Sequence, residues 1–269
     1  MDKRNFFIRM GLIFIFLNLG SVALASPPVE LQLLKESYPS LIQDVSSSSI
    51  SWRDGSSMPV RGSAFWEKLS HLFSSRTTDD KSISIMGLRC DSYEPFFKKM
   101  YGGTMTQVKQ KLVTVYWMPK VFGYRYPLRV TTVNGVDKKI QRISAELEKL
   151  PPSYYKYVSN PAGAFYWRTV KRERYLSAHS FGIAMDINSH YGNYWMWDRD
   201  RGRWANNKLV YHNNIPMKIV EIFEQEGFLW GGRWYFYDTM HFEYRPEMFK
   251  RNKEGTLVYN NQLGMRCDV

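Results

Sequence analysis

Leu176–Asn188 reads LSAHSFGIAMDIN, with His179 seven positions before Asp186. From Phe181 onward the pattern has period two, which predicts a strand. On it Phe181, Ile183, Met185 and Ile187 face a core, and Gly182, Ala184 and Asp186 share the other face. Such small neighbours leave room for a metal ion or a peptide backbone to approach the carboxylate. They would equally permit close sheet packing, with Asp186 as a surface charge.

Downstream, IPMKIVEIFEQEG (215–227) predicts a helix with Pro216 near its start and Gly227 as its stop. FLWGGRWYFYDTMHFEYRP (228–246) follows, with Asp238 and His241 as a D-x-x-H pair in an aromatic-rich extended or turning segment. Upstream, KLVTVYWMP (111–119) and LRVTTV (128–133) read as strands and Asn134-Gly135 as a tight turn. VDKKIQRISAELEKL (136–150) is a helix carrying Val136, Ile140, Ile143, Leu147 and Leu150 on one face, stopped by Pro151 and Pro152. SYEPFFKKMYGG (92–103) reads as a helix ended by Gly102 and Gly103. Residues 26–110 are expected to hold short helices, among them FWEKLSHLF (65–73), on breaker-rich loops. Boundaries are placed near 110 and 250, making 26–110 a helical and loop region of unknown role, 111–250 the chemical domain and 251–269 a tail.

The chain has 269 residues, 44% of them hydrophobic and 16% aromatic, enough for one or two packed domains. Mean hydropathy is −0.42, and the long apolar run sits at the extreme N-terminus, which excludes a polytopic membrane protein. That run follows Lys3, Arg4 and Arg9 and ends in Ala23-Leu24-Ala25, the pattern of a secretory signal peptide over 1–25 cut after Ala25. Cleavage would take the formal charge from +12 to +10 and leave no stable span. An exported basic protein meets anionic envelope polymers, so periplasm, cell envelope or exterior is the expected location and nucleic acid is not an expected partner. Cys90 and Cys267 make an even count for an oxidising compartment, read most simply as one disulfide, with two isolated thiols as the alternative.

Two imidazoles and a carboxylate suit a catalytic zinc, which takes three protein ligands and leaves one position open. His179, Asp186 and His241 supply that set, one Zn2+ per chain, and Asp238 is then a spare carboxylate for proton transfer; by residue type alone, scattered histidines and aspartates are more often surface or core residues than ligands. His71, His190 and His212 are not assigned to metal.

SAHSFGIAMD followed by DTMHFEY resembles the S-x-H-x-x-G-x-A-x-D and [DE]-x-x-H signature of zinc D-Ala-D-Ala peptidases, the family of D-Ala-D-Ala carboxypeptidases and dipeptidases and of L-alanyl-D-glutamate endopeptidases. The resemblance covers about 111–250, with its specific blocks in 163–188 and 226–246. It implies an α+β fold of hedgehog/D-Ala-D-Ala-peptidase type, in which a small antiparallel sheet carries the zinc site and helices flank it. It implies peptidoglycan stem peptides as substrate, with His179, Asp186 and His241 as ligands and Asp238 as general base. Arg168, in the GAFYWR block, is implied to steady the carbonyl oxygen, in competition with Lys171, Arg172 and Arg174 nearby. Ser177 is expected to bond substrate or loop backbone, and Trp230 and Trp234, with Gly231 and Gly232, to wall the cleft, though aromatic packing explains the tryptophans equally well. Asp at 238, where the carboxypeptidase branch shows Glu, resembles the endopeptidase branch. A D-alanyl-D-alanine carboxypeptidase and a catalytically inactive zinc-containing wall-binding protein are the other readings.

Overall fold

The computed structural model describes residues 26–60, 76–77, 84–85, 94–170, 175–202, 204–205, 208–234, 236–251 and 257–259. The expected leader, FWEKLSHLF, His71, both cysteines and Lys171, Arg172 and Arg174 lie outside the described residues. No described helix is long and apolar enough to cross a membrane.

Helix α1 (Val29–Ser37) is followed by a three-stranded antiparallel meander, β1 (Ile42–Val45), β2 (Ser49–Trp52) and β3 (Ser57–Pro59). The expectation of helices and loops alone for 26–110 is corrected here. Its serines obscured β2, whose Ile50 and Trp52 alternate inward, and β1, where an irregularity between Ile42 and Asp44 lets both Ile42 and Val45 be buried. Helix α2 (Glu94–Tyr101) ends at Gly102, and the hairpin β4 (Leu112–Tyr116) with β5 (Pro127–Thr131) follows. Asn134 and Gly135 take positive φ (58° and 67°) as the tight turn requires, launching α3 (Val136–Leu147). Val136, Ile140, Ile143 and Leu147 are buried along one stripe of α3.

The sheet that positions the site has β8 (His241–Tyr244) at its centre. It is flanked antiparallel by β6 (Ala184–Asp186) and β7 (Phe228–Trp230), and helix α4 (Met217–Gln225) leads into β7. Period two divides the faces of β8. Phe242 stacks on Phe223 of α4 with centroids 3.9 Å apart, and Tyr244 meets Phe228 at 5.5 Å, so His241 and Glu243 are left to the opposite face. This is an α+β arrangement of small antiparallel sheets and helices. The chain crosses residue 250 inside a hairpin, β9 (Phe249–Arg251) with β10 (Leu257–Tyr259).

The strand expected from Phe181 is shorter than its pattern. Ala178–Phe181 form a 3-10 turn, Gly182 closes it at φ 68°, and only Ala184–Asp186 pair as strand. Phe181, Ile183, Met185 and Ile187 are buried as expected. Gly182, by contrast, does not open space beside Asp186. Its carbonyl accepts from Thr131 N at 3.0 Å, and a Cβ there would lie 2.6 Å from Leu112 Cδ2 and 3.1 Å from Thr131 N. The glycine docks this segment against the β4–β5 hairpin. Gly182→Ala combines a left-handed conformation with that contact and should cost about 1–3 kcal/mol of stability, read as a lower urea midpoint at unchanged slope.

Residues on both sides of 110 share one core. Tyr38, Phe96 and Phe97 are buried with Phe181 and Tyr244, the Phe97 and Phe181 rings lying 5.8 Å apart and the Tyr38 and Tyr244 rings 6.5 Å apart.

Candidate metal centre

Register brings the first two candidate groups together, because β8 pairs with β6 so that His241 sits opposite Asp186. Asp186 is fixed on its other side by residues 162–163: its N–H donates to Gly163 O at 3.0 Å and its carbonyl accepts from Ala162 N at 2.9 Å. The same segment then wraps the 3-10 turn bearing His179. Tyr166 N donates to His179 O at 3.2 Å, Ser177 N to Arg168 O at 3.0 Å, and Arg168 N to Ser180 Oγ at 2.9 Å.

His179 Nδ1 lies 2.6 Å from Ala164 O. A carbonyl only accepts, so Nδ1 carries the proton and Nε2 faces the cluster. His241 Nε2 lies 3.2 Å from Glu243 Oε2, which turns Nδ1 the same way. His179 Nε2 is then 3.2 Å from His241 Nδ1 and 3.3 Å from Asp186 Oδ1, and His241 Nδ1 is 2.9 Å from Asp186 Oδ1. Bonds of 2.0–2.1 Å in a tetrahedral zinc site put ligand atoms roughly 3.3–3.4 Å apart, close to two of these spacings. Each imidazole also has its other nitrogen held by an oxygen, the arrangement that orients metal ligands. His179, Asp186 and His241 thus offer three atoms within 4.8 Å of one another and can hold a metal ion.

The electrostatics are those of a buried charged cluster. Burial opposes ionisation of Asp186, but the charge of His179 and the hydrogen bonds of both imidazoles outweigh it and hold the carboxyl well below the usual carboxylate range. Burial disfavours charge on His241 too, yet its bonds to Asp186 and Glu243 push it up to about 10. In Glu243 burial is overcome by the His241 hydrogen bond and the Arg245 charge, which bring the carboxyl down to about 2.

Asp238 is placed by backbone: its N–H donates to Gly231 O at 3.0 Å and its carbonyl accepts from His241 N at 3.1 Å. A Cβ on Gly231 would lie 2.5 Å from Asp238 O, so only glycine lets the 231 and 238 backbones approach this closely. Asp238 Oδ1 is buried and has no hydrogen-bond partner among the described residues. Burial, and next the charge of Asp186, raise Asp238 to about 7, against opposing pulls from His241, the Met240 amide and Arg168.

Of the other sequence candidates, Arg168 is exposed, with a long contact from Nη1 to Thr169 O at 3.4 Å, and its charge reaches Asp238. Ser177 Oγ accepts from His179 N at 3.4 Å, so it caps the 3-10 turn. Trp234 is half-buried with its ring 5.3 Å from that of His241. Trp230 is different: it is 1% exposed and donates from Nε1 to Thr239 O at 2.8 Å, a core contact that secures the loop before His241 rather than an open wall. His190 is exposed, and His212 Nδ1 lies 3.6 Å from Asp198; neither belongs to the cluster.

Glu243, Arg245, Glu247 and Ser180 were not singled out from sequence. Buried Ser180 Oγ donates to Arg168 O at 2.8 Å. The first three carry a readable signal: in HFEYRPE the polar residues His241, Glu243, Arg245 and Glu247 recur with period two beside aromatics.

No curated protein and no solved structure matches the chain. Residues 170–244 match the family model described as D-alanyl-D-alanine carboxypeptidase. Because His179, Asp186, Asp238 and His241 all fall inside that window, it is over residues 170–244 that the chain's resemblance to the D-alanyl-D-alanine carboxypeptidase family is established.

Proposed function

We propose that the chain is a zinc metallopeptidase that hydrolyses an amide bond in peptidoglycan stem peptides, of the L-alanyl-D-glutamate endopeptidase type. It rests above all on one observation: three candidate ligand atoms converge within 4.8 Å, and Asp238, tied by its backbone carbonyl to His241 N, has a buried Oδ1 with no hydrogen-bond partner among the described residues. The family match supports a peptidase acting on peptidoglycan. The leader-like N-terminus and the basic charge support action in the cell envelope, and the same reading carries the D-Ala-D-Ala-peptidase type of fold.

His179 Nε2, His241 Nδ1 and an Asp186 oxygen would hold the ion. Zinc, when bound, supplies Lewis acidity and makes a water molecule more acidic. Ala164 O and Glu243 keep each imidazole in its liganding tautomer. Asp238 Oδ1 takes a proton from the attacking water and returns it to the leaving amine nitrogen. Arg168, whose charge reaches Asp238, would supply positive charge to the carbonyl oxygen as it becomes anionic.

The second reading, a D-alanyl-D-alanine carboxypeptidase, is favoured by the description of the matching family model; Asp rather than Glu at 238 favours the first. Digestion of purified muropeptides by the Zn2+-loaded chain separates them by product mass. A new D-glutamate amino terminus is the expected product, and released D-alanine would select the carboxypeptidase. Intact muropeptides with zinc bound would overturn both and leave the wall-binding reading.

A further inference from the structure

Residue His241 is anchored by more than Glu243. Glu243 uses one oxygen for His241 Nε2 (3.2 Å) and the other for Arg245 Nη1 (2.9 Å). Arg245 Nε donates in turn to Glu247 Oε1 at 2.5 Å, and Glu247 Oε2 accepts from Tyr38 Oη at 2.6 Å. Tyr38 and Glu247 have no exposure and Arg245 only 1%. Each carboxylate gives one oxygen to each neighbour and the guanidinium spans both, so Glu243, Arg245 and Glu247 do not turn without breaking a bond on both sides. The Arg245 guanidinium also lies 5.3 Å from the ring centre of Phe97, in α2. A second tie reaches the other ligand segment, because Glu94 Oε2 accepts from Leu176 N at 2.8 Å, three residues before His179. Tyr38, Glu94 and Phe97 all lie outside the segment that matches the family.

We infer that Tyr38, at the end of α1, is a positioning residue for the ligand His241, acting through Glu247, Arg245 and Glu243, so that the N-terminal region is a working part of the metal centre. The inference rests on the metal-centre reading above. Loss of the Tyr38 hydroxyl leaves Glu247 Oε2 buried without that donor. The carboxylate then reorients on Arg245, the guanidinium follows, and Glu243 loses its grip on the imidazole.

The test uses the full chain and Zn2+ alone, with affinity measured by competition against a chromophoric chelator, thermal melting without metal, and the absorption bands of bound Co2+ as a report on ligand geometry. Glu243→Gln should weaken Zn2+ binding about 10–100-fold. Tyr38→Phe, which keeps the ring in the core, should weaken it several-fold and shift the Co2+ bands. Glu247→Gln serves as a second variant of unchanged volume should Tyr38→Phe fold poorly. In the Glu243→Gln background Tyr38→Phe should add nothing further, since both act along one path. A lower melting temperature with unchanged Zn2+ affinity and Co2+ bands would overturn this inference alone, as would full additivity of the two substitutions. Failure of the unaltered chain to bind Zn2+ would overturn it together with the metal-centre reading.

Discussion

Asp238→Asn should retain zinc and lose about 10²–10⁴-fold in kcat, the usual contribution of a general base. The amide keeps the shape of the carboxyl, and the backbone bonds to Gly231 and from His241 do not involve the side chain. What disappears is the proton-accepting capacity of Oδ1, the oxygen with no hydrogen-bond partner among the described residues. Folded stability should not fall, since a buried negative charge near Asp186 is removed with it. Metal content, thermal melting and single-turnover muropeptide cleavage read the three parts separately. Loss of zinc in this variant would make Asp238 a ligand. Full activity with full zinc would end the proposed mechanism.

His179→Ala and His241→Ala should each abolish stoichiometric zinc binding and, with it, peptidase activity. Three protein ligands are the minimum of an open catalytic zinc site, and two leave too weak a hold. The unaltered chain, stripped with a chelator, should regain activity on addition of Zn2+, and neither variant should. His179→Ala also removes the donor to Ala164 O, which lies in the segment pairing with Asp186, so its loss disturbs a second ligand. Full zinc occupancy in both variants by metal analysis would refute the ligand set.

The candidate ligand residues were legible through the resemblance of SAHSFGIAMD and DTMHFEY to a family signature, since His and Asp by type alone did not single them out, and Phe181, Ile183, Met185 and Ile187 mark a buried segment whatever its exact conformation. Helices α3 and α4 were legible from their apolar stripes and from the Asn134-Gly135 and Gly227 signals. The extent of the strand expected from Phe181 was not, because alternation continues through Gly182 while the backbone does not: a positive φ precedes the pairing, and what the glycine permits lies on the sequence-distant β4–β5 hairpin. Trp230 was ambiguous for a similar reason, since composition does not say whether an indole meets solvent or Phe-rich core. The β1–β3 meander was hidden by strands of three or four residues among serines. Glu243 and Glu247 were visible as a charge alternation but needed the fold to supply their partner, Tyr38.

Tyr38 and Glu247 are 209 positions apart. During synthesis Tyr38 therefore leaves the ribosome long before Glu247 exists, and this bond waits until residue 247 has emerged, whereas the ring contact of Tyr38 with Phe96 needs only about the first hundred positions. Closing so long a loop puts this contact late in folding, after the local hairpin and helices have formed. Chains truncated just before residue 247 would retain His179, Asp186 and His241 while Tyr38 lacks its buried carboxylate partner, so the hydroxyl of Tyr38 registers whether synthesis has passed Glu247.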